Sequence, residues 1–246
     1  MAGHSHSANI AVRKGKQDAV RAKLFSKLTR YIMIAARNGG GDPDTNLRLR
    51  YAILKARSVS MPKDIIERGI KKGTGDLEGV NYEEITYEGY GPGGVAIMVE
   101  TLTDNRNRTG GEIRSTFEKL GGNMGLPGCV SYLFERKGLI VLSAKAYPNE
   151  DKVIEAALEA GAEDVANIDG VYEITTDPTA FGAVLEALQA AGFEPTVSEV
   201  KNLAKTLATV DVETGKKVLR LIQVLDDNDD SQNVYTNANL TEEMAG

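Results

Sequence analysis

The stretch LIVLSAKAYPNEDKVIEAALEAGAEDVANIDGVYEITTDPTAFGAVLEALQAAGFEPTVSEV, residues 139–200, decides the fold. It opens on an apolar run, Leu139–Leu142, the pattern of a buried strand. A helix is predicted over Asp151–Ala160, strands over Asp164–Ile168 and Val171–Thr175, a helix over Thr179–Ala191 and a strand over Thr196–Val200. The order βαββαβ is ferredoxin-like. Upstream, Val95–Val99 reads as a strand, and Thr109 as the cap of a helix striped by Ile113, Phe117 and Leu120. Val130–Phe134 reads as another strand. Downstream come strand Leu207–Val212, helix Thr214–Leu225 and strand Gln232–Tyr235. Each flank alone is half a unit; joined, they complete a second βαββαβ. Residues 138–203 are therefore expected as a domain inserted into a middle domain of residues 77–137 and 204–246.

Further out, residues 16–76 read as three amphipathic helices. Val20, Leu24, Leu28, Tyr31 and Ala35 form the apolar face of the first, over Lys16–Arg37. Asp42-Pro43-Asp44 starts the second. Ser60 is the expected N-cap of the third, with Ile65, Ile66 and Ile70 as anchors. Residues 1–15 are an N-terminal arm. The expected fold class is α+β and multidomain: an N-terminal all-helical three-helix domain plus two ferredoxin-like βαββαβ domains.

Charge points to a partner. The chain has 29 Lys/Arg and 35 Asp/Glu, a net charge of −6. That average hides a split. Residues 1–75 hold 16 Lys/Arg against 5 Asp/Glu, a balance of +11, and residues 76–246 hold 13 against 30, a balance of −17. A basic segment of this size attracts polyanions, while the acidic remainder keeps the molecule soluble. Arg13, Lys14, Lys16, Arg21, Lys23, Lys27 and Arg30, on the arm and the first helix, are the candidate phosphate contacts. Arg106 and Arg108 form a second patch in the loop Asp104-Asn105-Arg106-Asn107-Arg108-Thr109, where guanidinium forks meet a helix N-terminus.

Enzyme chemistry is not expected. His4 and His6, the only histidines, lie on the arm without an ordered third metal ligand. Gly89-Tyr90-Gly91-Pro92-Gly93-Gly94 matches G-x-G-x-x-G, but it precedes a strand and contains proline, so it reads as a turn. Asp226-Asp227-Asn228-Asp229-Asp230 lacks the spaced ligands of a calcium loop and reads as a solvated acidic helix end. Cys129, the single cysteine, reads as a small core residue in a reducing compartment. No apolar run reaches the roughly 20 residues that span a bilayer, and Met1–Gly15 has no signal-peptide core. The expectation is a cytoplasmic monomer with no cofactor, metal, catalytic residue or membrane partner.

Met1-Ala2-Gly3-His4-Ser5, Ala8-Asn9-Ile10, Arg13-Lys14, Gly39-Gly40-Gly41-Asp42-Pro43, Tyr87–Gly94, Asp104–Thr109 and Ala156–Asp164 together resemble the YebC-type family, in order along the chain. The resemblance implies a three-domain, DNA-binding transcriptional regulator. Mitochondrial relatives are translational activators, so a factor that binds ribosomal or transfer RNA, or the ribosome, is the alternative; a protein-interaction scaffold is a third. Family members usually carry a basic and an aromatic residue before Ala-Asn-Ile and a basic pair after it. Here His6-Ser7 and Ala11-Val12 stand in those places, so the arm lacks a base-stacking ring.

Overall fold

The computed structural model describes residues 21–78 and 81–245. They fall into two compact units, residues 21–132 with 211–236 and residues 133–210 with 237–245. The arm and the N-terminal end of the first predicted helix lie outside the described residues.

The first unit begins with helices α1 (Arg21–Gly39), α2 (Leu47–Ser58) and α3 (Lys63–Thr74). Leu28, Ile32, Ala35 and Ala36 of α1 join Leu49, Ala52, Ile53 and Ala56 of α2 and Ile66 of α3 in one apolar core. The approach of α3 to α1 is close: a Cβ at Gly73 would stand 2.3 Å from the Met33 carbonyl oxygen, so only glycine fits. Asn46 governs the α1–α2 turn. Its Oδ1 accepts the Leu49 N–H at 3.1 Å, and its Nδ2 donates to the Ala35 and Gly40 carbonyls, both at 2.8 Å. The second helix thus starts after Asn46, later than Asp42-Pro43-Asp44 suggests. Ser60 does not cap the third; it sits in the turn at φ 58, and Pro62 takes the cap position without a side-chain bond.

The same unit contains four strands, β1 (Glu83–Tyr90), β2 (Ala96–Thr103), β3 (Asn123–Met124) and β9 (Ser231–Thr236). They pair antiparallel in the order β3-β1-β2-β9. Helices α4 (Arg106–Lys119) and α7 (Val212–Asp226) pack on this sheet and on each other. The α+β class, the helical start and the ferredoxin-like layout agree with the sequence reading. The chain order in this sheet does not: it runs ββαβ, leaves for the second unit, and returns as αβ. Val130–Phe134 is not one of its strands, because Ser131–Leu133 is a 3-10 turn. Nor is Leu207–Val212, where β8 (Ala208–Thr209) pairs only with Ala238–Asn239. Their places are taken by β1 and β3.

The second unit follows the predicted order. Strand β4 (Phe134–Ser143) leads to α5 (Glu150–Glu159), β5 (Asp164–Ile168), β6 (Val171–Thr176), α6 (Phe181–Ala190) and β7 (Val197–Ala204). The sheet order is β5-β6-β4-β7, all antiparallel. Leu139, Ile140, Val141 and Leu142 are all buried, which explains an unbroken apolar run in place of alternation. Asp169 (φ 50) and Gly170 (φ 82) make the two-residue turn that fixes the β5–β6 register. Among the described residues, no helix is long and apolar enough to cross a membrane.

Candidate nucleic-acid interface

Helix α1 carries Lys23, Lys27 and Arg30 at i, i+4 and i+7, so the three side chains form one row. The row does not face open solvent. It seats along residues 226–230, where α7 ends and turns into β9. Lys23 Nζ donates to the Asp227 carbonyl and pairs with Asp229 Oδ1 at 3.3 Å. Lys27 Nζ donates to the Asp226 carbonyl and lies 3.6 Å from its Oδ1. Arg30 Nη1 donates to the Asp229 carbonyl at 2.7 Å and to Asp230 Oδ1 at 3.0 Å, and its guanidinium lies 5.3 Å from the centre of the Tyr82 ring. Two forces bring them together. Carbonyls at the end of a helix have no intrahelical donors and attract cations, and the aspartates add full charges. Burial, more than any other influence, pushes the Lys27 ammonium below its ordinary pKa, against the pull of Asp226.

Asp230 is the hub of the arrangement, with its side chain 5% exposed. Its Oδ2 accepts from Thr109 Oγ1 at 2.6 Å, Arg108 Nη2 at 2.7 Å and Thr103 Oγ1 at 3.1 Å, while Oδ1 takes Arg30. Burial opposes its charge, but the hydrogen bonds from Thr109 and Arg108 and the charge of Arg108 prevail and hold the carboxyl below its usual range. Arg108 is correspondingly pinned, bonded to both Asp230 and Asp104 at 2.7 and 2.8 Å. These bonds to carboxylates raise its pKa further. The cap of α4 is Asn105, whose Oδ1 accepts the Arg108 N–H at 3.1 Å; Thr109, expected as the cap, lies buried in the first turn. Arg106 is exposed at the helix start and makes no ion pair among the described residues.

A second buried carboxylate organises the glycine-rich tract. Glu88 accepts the N–H groups of Gly128, Val130 and Ser131, each at 2.8 Å. Burial works against its ionisation, and these three backbone donors overcome it and lower its pKa. Tyr90 Oη donates to the Cys129 carbonyl at 2.9 Å, clamping the same loop from the other side. Cys129 is a half-buried free thiol. Pro92–Gly94 forms the turn expected there, with Gly93 and Gly94 at φ 74 and 73.

The candidate contacts thus divide into three groups. Arg13, Lys14 and Lys16, and the side chain of Arg21, lie outside the described residues. Lys23, Lys27 and Arg30 come together as a row whose partner is the chain's own acidic turn. Arg106 and Arg108 part company: one is presented to solvent, the other is locked into the hub. The acidic run read as a solvated helix end is solvated only in part, since Asp226, Asp227, Asp229 and Asp230 all take bonds from α1. Sequence reasoning missed the hub that Asp230 forms with Thr103 and Thr109, and the role of Glu88. The one signal was a row of cations and a run of aspartates of matching length some 200 residues apart. Exposed Arg57, Arg68 and Lys71 extend the positive charge of the helical domain.

Two family models cover nearly the whole chain. One described as "TACO1/YebC protein N-terminal domain" matches residues 5–76, and "TACO1/YebC second and third domain" matches residues 82–238. A "probable transcriptional regulatory protein" of Geobacter sulfurreducens is 55% identical over 245 residues, 99% of this chain and 98% of that protein. One of the same description from Treponema denticola is 54% identical over 242 residues, 98% of each. The crystal structure of a conserved hypothetical protein from Aquifex aeolicus matches with a TM-score of 0.82 and 48% identity, over 95% of this chain and 96% of that one. With matches of this extent in both parts of its sequence, this chain belongs to the TACO1/YebC family.

Proposed function

We propose that this protein is a nucleic-acid-binding regulator of gene expression. It acts as a cytoplasmic monomer, carries out no chemical step and, as a first reading, works on DNA as a transcriptional regulator. One observation carries the proposal: Lys23, Lys27 and Arg30 form a single row that already seats on a line of anionic and carbonyl oxygens. A row of that kind suits a sugar-phosphate backbone, where cations neutralise phosphates and release counterions. The descriptions of the Geobacter and Treponema relatives as probable transcriptional regulatory proteins support the transcription branch. Phosphate contacts are assigned to Arg13, Lys14, Lys16 and Arg21, continuing into Lys23 and Lys27, with Arg106 as the second patch. Arg30 and Arg108 act by holding that surface in shape. The acidic remainder serves as spacer and protein-contact surface.

Backbone contacts carry no base information, so the same row suits RNA, and the translation-factor reading is separated by experiment. The test is sedimentation of the native protein from gently lysed cells, with DNase and RNase treatment in parallel. The expected result is association that DNase abolishes and RNase spares. Migration with ribosomes that only RNase abolishes replaces the DNA reading with the translation-factor one. Free sedimentation under every condition overturns both.

A further inference from the structure

The geometry points to an autoinhibitory contact: we propose that the turn at residues 226–230 is an internal stand-in for a nucleic-acid backbone, occupying Lys23 and Lys27 until a polyanion displaces it. The inference rests on the nucleic-acid reading above and specifies how the site is regulated.

Three features support it. The first is chemical likeness. The turn offers Lys23, Lys27 and Arg30 a line of carbonyl and carboxylate oxygens, two at each cation, as a phosphodiester strand does. The second is a gradient of burial among the aspartates. The outermost pair, Lys23–Asp229, is 28% and 80% exposed; Lys27–Asp226 is 12% and 30% exposed; Arg30–Asp230 is 20% and 5% exposed. A polyanion therefore has a place to begin, and exposed ion pairs exchange partners readily. The third is an anchor at the far end. Asp230 is held by Arg108, Thr103 and Thr109 as well as by Arg30. Displacement can thus run from Lys23 to Lys27 and stop at Arg30, leaving the fold intact.

The contact also sets a threshold. A phosphate backbone must offer enough charge to replace the aspartates, so short or weakly charged anions are excluded and long polyanions admitted.

The experiment compares three forms of the full chain: the wild type, the triple variant Asp226→Asn, Asp227→Asn and Asp229→Asn, and a control with the same change of charge elsewhere, Asp64→Asn, Glu78→Gln and Glu118→Gln. Each is titrated with a long DNA duplex and a long RNA duplex across a salt series. The triple variant is expected to bind about fivefold more tightly than the wild type, with a steeper dependence on salt; the control changes by less than about twofold. Wild-type binding that the triple variant merely reproduces overturns the latch and leaves the nucleic-acid reading standing. A gain of equal size in the control overturns it as well, because net charge then suffices. No binding by any form overturns the nucleic-acid reading and the latch with it. Hydrogen exchange of the wild type covers the case in which the triple variant does not fold. Saturating duplex is expected to speed exchange at residues 226–229, and unchanged protection there overturns the proposal.

Discussion

The two four-stranded sheets share a layout and differ in how they are made. The sheet of the second unit is assembled from consecutive elements between Phe134 and Ala204, joined by short turns over a core such as Leu139, Ile140 and Leu142. The sheet of the first unit is assembled from two distant segments, and its joins are charged. Asp230 ties β9 to the start of α4 and to α1, and Glu88 ties β1 to the loop at 128–131. Apolar packing of neighbours tolerates small errors. A buried carboxylate does not, because its stability depends on every donor being in place. The part of the chain assigned to binding therefore rests on the more conditional of the two sheets.

The largest expected effect removes the hub. Asp230→Ala leaves Arg30 and Arg108 without their buried partner and costs about 3–5 kcal/mol. With no tryptophan in the chain, hydrogen exchange read by mass spectrometry is the suitable measurement. Loss of protection is expected throughout the first unit, in α1 and β9 above all, with the second unit less affected. Equal loss in both units would mean that the Asp230 hub does not hold the first sheet in particular. Glu88→Gln comes next. It keeps the shape of the side chain but replaces a charged acceptor of three backbone N–H groups with a neutral one, at a cost of about 2 kcal/mol. The expected sign is faster exchange at Gly128, Val130 and Ser131, and protection there equal to that of the wild type would count against the clamp.

The same contrast explains what was legible in the sequence. The order βαββαβ over 139–200 follows from periodicity and turns, all of them local. Strand β1, Glu-Glu-Ile-Thr-Tyr-Glu-Gly-Tyr, hides itself: its glutamates suggest a surface loop, yet Glu88 is buried and satisfied by backbone donors far along the chain. Strand β3 has two residues and carries no periodic signal at all. At the candidate site, cations on one helix were readable as a row, but their partners were not. Nothing in the sequence near Lys23 says that Asp227 and Asp229 will stand opposite. Thr103 and Thr109 look like ordinary strand and cap residues, and only the fold turns their hydroxyls onto one carboxylate.

Acid should separate the two regions more gently. Asp230 and Glu88 both have folded pKa values below the ordinary carboxyl range. Their contribution is complete above the unfolded value, about pH 4, and is lost as pH falls through the lower folded values. In the second unit Asp177 is also held low by bonds to Thr179, but it lies exposed, so its protonation weakens little. Urea unfolding followed by hydrogen exchange from pH 6 downward should show the first unit losing stability sooner. Parallel decline in both would mean that the buried carboxylates do not set the difference.

In the second unit, small changes should stay small. Ile140→Val removes one methylene group from a fully buried position and is expected to cost about 1 kcal/mol, read as a shift in the urea midpoint.

Glycine substitutions make the finest test, because the two sheets use glycine for opposite reasons. At Gly170 the backbone is left-handed, φ 82, and an added Cβ would meet nothing within 4 Å. Gly170→Ala therefore carries only the conformational cost of that φ, about 1 kcal/mol. At Gly89 an added Cβ would stand 2.5 Å from the Asn123 carbonyl oxygen and 3.0 Å from the Met124 Cα, both of them backbone. Gly89→Ala must then part β1 from β3. The measurement is the difference in urea midpoint between the two variants, with Gly89→Ala the more destabilised. If the two shift alike, the close β1–β3 pairing relaxes more easily than its backbone contacts imply. The first sheet would then be conditional on its charges alone.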